Sequence, residues 1–139
     1  GFGIGVNLDA SIDAPSLDCA YKLQEFGGRP RRKRSEGKAT WPGRKQVWRR
    51  YDSDGRMRGD VLSVEGDSQA GEPLVGPVMR GGKRLALPES LADIRARAAR
   101  ELARLPAPLA RLEPGPAYPV TIADALVALA READRFTVG

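Results

Sequence analysis

QVWRRYDSDGRMRGDVLSV, residues Gln46–Val64, decides how the rest of the chain is read. Two runs rich in β-branched, aromatic and alternating residues, Gln46–Tyr51 and Met57–Val64, flank Asp52-Ser53-Asp54-Gly55. Aspartate and serine cap turns with their own side chains, and glycine accepts the positive φ that closes a tight turn. The stretch therefore predicts an antiparallel β-hairpin. Upstream, Cys19–Phe26 alternates Tyr21 and Leu23 with Lys22 and Gln24 and stops at Gly27-Gly28, a half-buried strand pattern. Gly1–Leu8 reads as a further strand entering a glycine-rich turn, and Asp13, Pro15 and Ser16 as loop. Downstream, Leu74–Met79 and Lys83–Leu87 face each other across Gly81-Gly82 as a weaker hairpin.

The last third changes period. Ser90 and Asp93 form a capping-box pattern, after which Leu91, Ile94, Ala98, Leu102 and Leu105 fall on one face of a helix over about 90–105. Arg95, Arg97, Arg100 and Arg104 fall on its solvated side, and Pro106 and Pro108 stop it. A second helix, over about 121–136, is expected to start at Thr121 with Asp124 three residues later, burying Ile122, Leu126, Leu129, Ala133 and Phe136. Strands first and helices last make an α+β chain, with no internal repeat.

Composition narrows the chemistry. At 139 residues, with 41% apolar and 29% charged residues, the chain lies in the globular range, as one domain or a piece of a larger one. It contains no apolar run of about 18 residues. GFGIGVNLDA at the start has no basic leader followed by a long apolar stretch, so a secretory signal is not expected there. The single cysteine, Cys19, excludes an intramolecular disulfide and a multi-cysteine zinc site, and reads as a small core residue. With no histidine, this chain by itself cannot supply a Ser-His-Asp triad, a Cys-His pair or a histidine metal site. The first residue is Gly1 and not Met, which suggests part of a longer reading frame.

Charge is concentrated. Arg29 to Arg50 holds ten basic residues against one acid, Glu36, while the remainder is acidic overall; net charge is +5. Such a field attracts phosphates, whether on small molecules, nucleic acid or a lipid surface. Gly37, Pro42 and Gly43 shape the run into a loop, suited to holding a discrete anion. Lys22, Lys33, Lys38, Arg44 and Lys45 are the candidate cations; a solvated basic face is the alternative for any one of them. Gly3-Ile4-Gly5 is a second candidate, because paired glycines let backbone N–H groups approach a phosphate, although a dinucleotide fingerprint would need a third glycine. Trp41, Trp48 and Tyr51 are either base-stacking or core aromatics.

GFGIG, SLDCAYKL, GGRPRRKRSEGKATWPGRKQ, the D-x-D-G hairpin with Asp60, PLVGPVM, SLADIRARA and YPV together resemble the C-terminal portion of the nicotinate phosphoribosyltransferases, of the type II phosphoribosyltransferase family. The resemblance implies an enzyme that joins nicotinate to 5-phosphoribosyl 1-diphosphate with ATP hydrolysis and Mg2+, in NAD biosynthesis. It implies a cytoplasmic homodimer, no nucleic-acid or membrane partner, and an irregular (β/α) barrel joined to an α+β domain. On that template, residues 1–18 end the barrel with its last strand and the phosphate-binding turn at Gly3 and Gly5. Residues 19–139 return to the α+β domain, with the basic loop at 29–50, antiparallel hairpins and two C-terminal helices. Lys22, Lys33 and Lys38 match lysines facing phosphate or diphosphate groups, with Arg44 and Lys45 weaker matches.

Two positions depart from the pattern: Val6, where the nicotinate enzymes commonly have threonine, and Ala14, where the nicotinamide enzymes carry a phosphate-binding arginine. No catalytic or metal-binding residue is expected in this segment. The phosphorylated histidine and the acids near magnesium are expected upstream of Gly1, so the segment alone should be inactive. The alternative is a small basic module that binds nucleic acid through Arg29–Arg50 and its aromatics.

Overall fold

The computed structural model of the chain describes residues 21–111, 113 and 115–135. In order, the elements are β1 (Glu25–Phe26), β2 (Arg29–Pro30), β3 (Lys45–Tyr51), β4 (Met57–Val64), β5 (Glu72–Pro73), β6 (Met79–Arg80), β7 (Lys83–Arg84), α1 (Leu91–Ala103), β8 (Val120–Ile122) and α2 (Asp124–Arg135), with a 3-10 turn at Ala107–Leu109. The α+β class is as expected.

The hairpin at the centre is the one the sequence spells out. β3 and β4 pair antiparallel with Trp48 opposite Val61 and Arg49 opposite Asp60, and a register shift follows Arg50. The Asp52 carboxylate accepts the amides of Asp54 (3.0 Å) and Arg56 (2.9 Å), which builds the turn from its own side chain. Two shorter hairpins turn on paired glycines: Gly27-Gly28 joins β1 to β2 and Gly81-Gly82 joins β6 to β7. All four glycines have φ between +55° and +76°, the mirror-image geometry that matches strand twist and excludes most side chains.

The central sheet has the order β5-β3-β4-β8. β8 runs parallel to β4, Asp60 opposite Val120 and Leu62 opposite Ile122. The second helix therefore begins at Asp124 and not at Thr121: Val-Thr-Ile is β-branched throughout and joins the sheet instead. Helix α2 then lies on β4. Leu126 is fully buried there, with Met57, Val61, Ala123 and Ala130 around it, while Leu129 and Ala133 are half-buried. Trp48 takes part in this core, its indole N–H donating to the buried Ser63 hydroxyl at 2.9 Å.

Three further expectations change. Of the strand read over Cys19–Phe26, the described residues form only β1, with residues 21–24 outside regular structure. The hairpin about Gly81-Gly82 forms, but its strands have two residues each, because the Leu74 amide is drawn to the Val47 carbonyl (2.8 Å). Helix α1 has the expected Ser90 cap, which accepts the Asp93 amide at 3.1 Å, yet none of its residues is buried. Leu91 and Leu102 are exposed, so within the described residues its apolar stripe has no partner. The helix is tied down at its C-terminal end by Arg104, which was expected to be solvated. That guanidinium lies 3.7 Å from the centroid of the Tyr51 ring and donates to the Gly55 carbonyl, while the Arg104 carbonyl accepts the Met57 amide. Gly1–Leu8, Cys19, Phe136 and the domain boundary at residue 18 lie outside the described residues.

Candidate phosphate-binding surface

The basic run divides into a base, two arms and a tip, with β3 taking its last residues from Lys45 onward. At the base, the Gln24 carbonyl accepts the amides of both Arg31 (2.8 Å) and Gly43 (2.7 Å), which draws the ends of the loop together. The Lys45 ammonium staples the same point, donating to the Trp41 carbonyl (2.8 Å), the Gln24 side chain (3.3 Å) and the Gly43 carbonyl. Partial burial holds its pKa below the ordinary 10.5. Pro42 is fully buried beside it.

The arms are pinned by acids distant in sequence. Arg44 lies 3.1 Å from Glu25 and 3.9 Å from Glu65. Arg32 and Arg34 both reach Asp134, near the end of α2, at 3.5 Å. Arg32 also lies over the Trp41 ring, 5.9 Å from its centroid.

At the tip, the Thr40 amide donates to the Lys33 carbonyl (3.0 Å), the Lys33 amide to the Thr40 hydroxyl (2.9 Å), and the Lys38 amide to the Ser35 carbonyl (3.0 Å). On the lysines themselves these bonds use only main-chain atoms. The Lys33 and Lys38 side chains are exposed and, among the described residues, without a partner; Lys22 is in the same state. Arg29 and Arg31 are likewise exposed, on the rim of a recess of about 460 Å³ floored by Pro30, Leu129 and Ala133. Gly3 and Gly5 lie outside the described residues. Of the candidates, then, Lys33 and Lys38 share one exposed turn, while Arg44 and Lys45 hold that turn in place.

A polar cluster that sequence reasoning did not assemble lies in the central sheet. Asp60 accepts Arg49 Nε (3.0 Å), Arg49 Nη2 (2.8 Å) and the Tyr118 hydroxyl (2.9 Å). Arg49 pulls the Asp60 carboxyl below its ordinary 3.8, against the opposing effect of burial. The same hydrogen bond raises the Arg49 pKa, and burial followed by the bond to Asp60 raises that of Tyr118. Tyr51 is pushed up to about 12 by burial and by its 2.7 Å bond to Glu72. Only the prominence of Asp60 after the hairpin hinted at this cluster. Among the described residues no group of three or more His, Cys, Asp or Glu is placed to hold a metal ion, and no helix is long and apolar enough to cross a membrane.

The family pattern described as the nicotinate phosphoribosyltransferase C-terminal domain matches residues 67–130, from the end of the central hairpin into α2. The chain is 41% identical to nicotinate phosphoribosyltransferase pncB2 of Mycobacterium tuberculosis, over 91% of this chain and 28% of that protein. It is 36% identical to the nicotinate phosphoribosyltransferase of Bos taurus, again over 91% and 28%. The crystal structure of human nicotinic acid phosphoribosyltransferase superposes with a TM-score of 0.66 at 29% identity, covering 81% of this chain and 26% of the human one. The chain thus spans little more than a quarter of the length of the relatives it matches. In its α+β fold and in the residues matched, the chain is similar to the C-terminal part of the nicotinate phosphoribosyltransferases.

Proposed function

We propose that this chain works as the C-terminal part of an enzyme that joins nicotinate to 5-phosphoribosyl 1-diphosphate, releasing nicotinate mononucleotide and diphosphate. In this reading it contributes phosphate-binding cations and not the reacting groups. The observation that carries it is the division of labour in the loop: Lys45, Arg44 and Arg32 are spent on anchoring, while Lys33 and Lys38 are held out on a hydrogen-bonded turn. A lysine ammonium is a compact charge that neutralises phosphate oxygens without fixed geometry. Two of them on one ordered turn lower the entropy cost of gripping a polyphosphate.

Lys22, and the backbone of Gly3 and Gly5, complete the proposed phosphate contacts. ATP and Mg2+ belong to the same reading. In this reading the metal's ligands, and the histidine that would carry a phosphoryl group, belong to the part of the family's length that this chain does not span. A homodimer, with the loop facing a neighbouring subunit's site, and a cytoplasmic location are further parts of the proposal.

The nucleic-acid alternative is disfavoured by the aromatics. Trp41 carries Arg32, Tyr51 carries Arg104, and Trp48 donates to Ser63, so each is already engaged within the chain. The test is steady-state kinetics of a full-length enzyme bearing Lys33→Ala or Lys38→Ala. Loss of one charged hydrogen bond, about 1.5–3 kcal/mol, should raise the apparent KM for phosphoribosyl diphosphate or ATP about ten-fold or more and leave that for nicotinate unchanged. Parental constants in both variants would overturn the assignment.

A further inference from the structure

The far end of the central hairpin carries a second cationic feature, separate from the basic loop. Arg50 and Arg58 line a recess of about 390 Å³ together with Gly59, Gly71 and Thr121. Arg50 is five residues along β3 from Lys45, about 16 Å away at the rise of a strand. Arg50 and Arg58 are both exposed, and neither has a side-chain partner among the described residues.

The acids that could have neutralised them are engaged elsewhere. Asp60, on the wall of the recess, is filled by Arg49 and Tyr118. Glu72 accepts the Tyr51 hydroxyl and lies 4.0 Å from Arg104. Arg50 and Arg58 bring two positive charges to the lining of one recess, and an anion bound there would offset them.

The lining also includes two glycines held against neighbouring backbone. Gly71 packs so closely on β3 that a Cβ would sit 2.6 Å from the Arg49 carbonyl oxygen, and Gly59 approaches Pro119 in the same way, at 3.1 Å from its carbonyl oxygen. Neither position projects a side chain into the space. The exposed Thr121 hydroxyl adds a neutral donor at the edge.

We propose that this recess is a binding site for a small phosphorylated anion, gripped by the forks of Arg50 and Arg58. Guanidinium forks match phosphate oxygens in pairs, which distinguishes this site from the point charges of Lys33 and Lys38. A recess of this volume accommodates a phosphate ester of a small metabolite. The site stands apart from the proposed catalytic role of the loop and does not depend on it.

The experiment follows the side-chain Nε–Hε signals of the 15N-labelled 139-residue chain by NMR during titration with sodium pyrophosphate, at constant ionic strength. Sodium acetate and sodium chloride serve as controls, and Arg50→Lys and Arg58→Lys assign the two signals. Both signals should saturate together with pyrophosphate and not with acetate or chloride. With Lys33→Ala/Lys38→Ala as the reference, which removes the proposed loop contribution, adding Arg50→Gln/Arg58→Gln should weaken the remaining calorimetric event about ten-fold or more. Both variants alter exposed side chains, and unchanged circular-dichroism melts would confirm that they fold. Signals that stay still, or that drift without saturation and equally with all three anions, mean an adventitious ion only and overturn the proposal. A calorimetric event undiminished by the added arginine substitutions overturns it as well.

Discussion

Asp60→Asn is the sharpest perturbation of this fold, because it keeps the shape of the side chain while removing its charge and turning one acceptor into a donor. Asp60 lies in the middle of β4, opposite Arg49 on β3 and Val120 on β8, and its three hydrogen bonds tie β4 to β3 and to the segment that leads into β8. The Asp60 and Arg49 side chains are 11% and 22% exposed, which makes this a shielded pair and not a surface one. Breaking a fully buried pair costs about 3–5 kcal/mol. The carboxamide keeps one acceptor for Arg49 or Tyr118, and Arg49 retains some access to water, so the expected loss is about 2–4 kcal/mol. For a chain of this length, that is a fall in Tm of roughly 6–12 °C, measured by circular dichroism at pH 7.

The pH dependence gives the sign. Arg49 holds the folded carboxyl below its ordinary 3.8, so the contribution is fully present above that value and is lost as pH falls through the lower folded value. The gap between parent and variant should therefore be constant at neutral pH and shrink below about pH 4. A Tm change under about 2 °C at pH 7, or a gap that persists undiminished into acid, would refute the reasoning.

Leu126→Ala should cost about 2–5 kcal/mol in urea unfolding, because the side chain is fully buried between α2 and β4 and leaves a cavity there; a midpoint close to the parent's would show that the contact adds little. Gly71→Ala combines φ of +133° with a Cβ placed 2.6 Å from the Arg49 carbonyl oxygen, so β5 should leave β3. Hydrogen exchange at the Leu74 amide, which donates to the Val47 carbonyl at 2.8 Å, should then accelerate, and protection equal to the parent's would count against that account.

Local chemistry was legible in the sequence and long-range pairing was not. The D-x-D-G turn, the Gly81-Gly82 turn and the Ser90 cap each depend on residues within four positions, and each forms as read. β8 was read as the start of a helix because Thr121 with Asp124 satisfies the local capping pattern. What decides otherwise is β4, some sixty residues earlier, whose open edge takes Val120–Ile122 as a parallel strand. The stripe on α1 is a similar case: periodicity shows that a face is apolar, and nothing in a helix's own sequence says what covers it.

The same limit governs the candidate site. Ten cations in twenty-two residues announce an anion-attracting loop, yet Lys45 and Lys38 are chemically identical. They are sorted only by what the fold brings near them. Carbonyls of Gln24's neighbourhood surround the first, and Asp134, Glu25 and Glu65, all outside the loop, engage Arg32, Arg34 and Arg44. A basic run therefore sets an upper bound on the charge available to a ligand, and the fold's own acids and carbonyls subtract from it. Of the ten, the subtraction leaves Arg29, Arg31, Lys33 and Lys38, with Arg50 on β3, without a side-chain partner among the described residues. Only two of these, the lysines, stand on a turn whose main chain is closed by hydrogen bonds at both ends. In the proposed function, order at the tip, more than the number of charges in the run, is what would suit the loop to one anion instead of many.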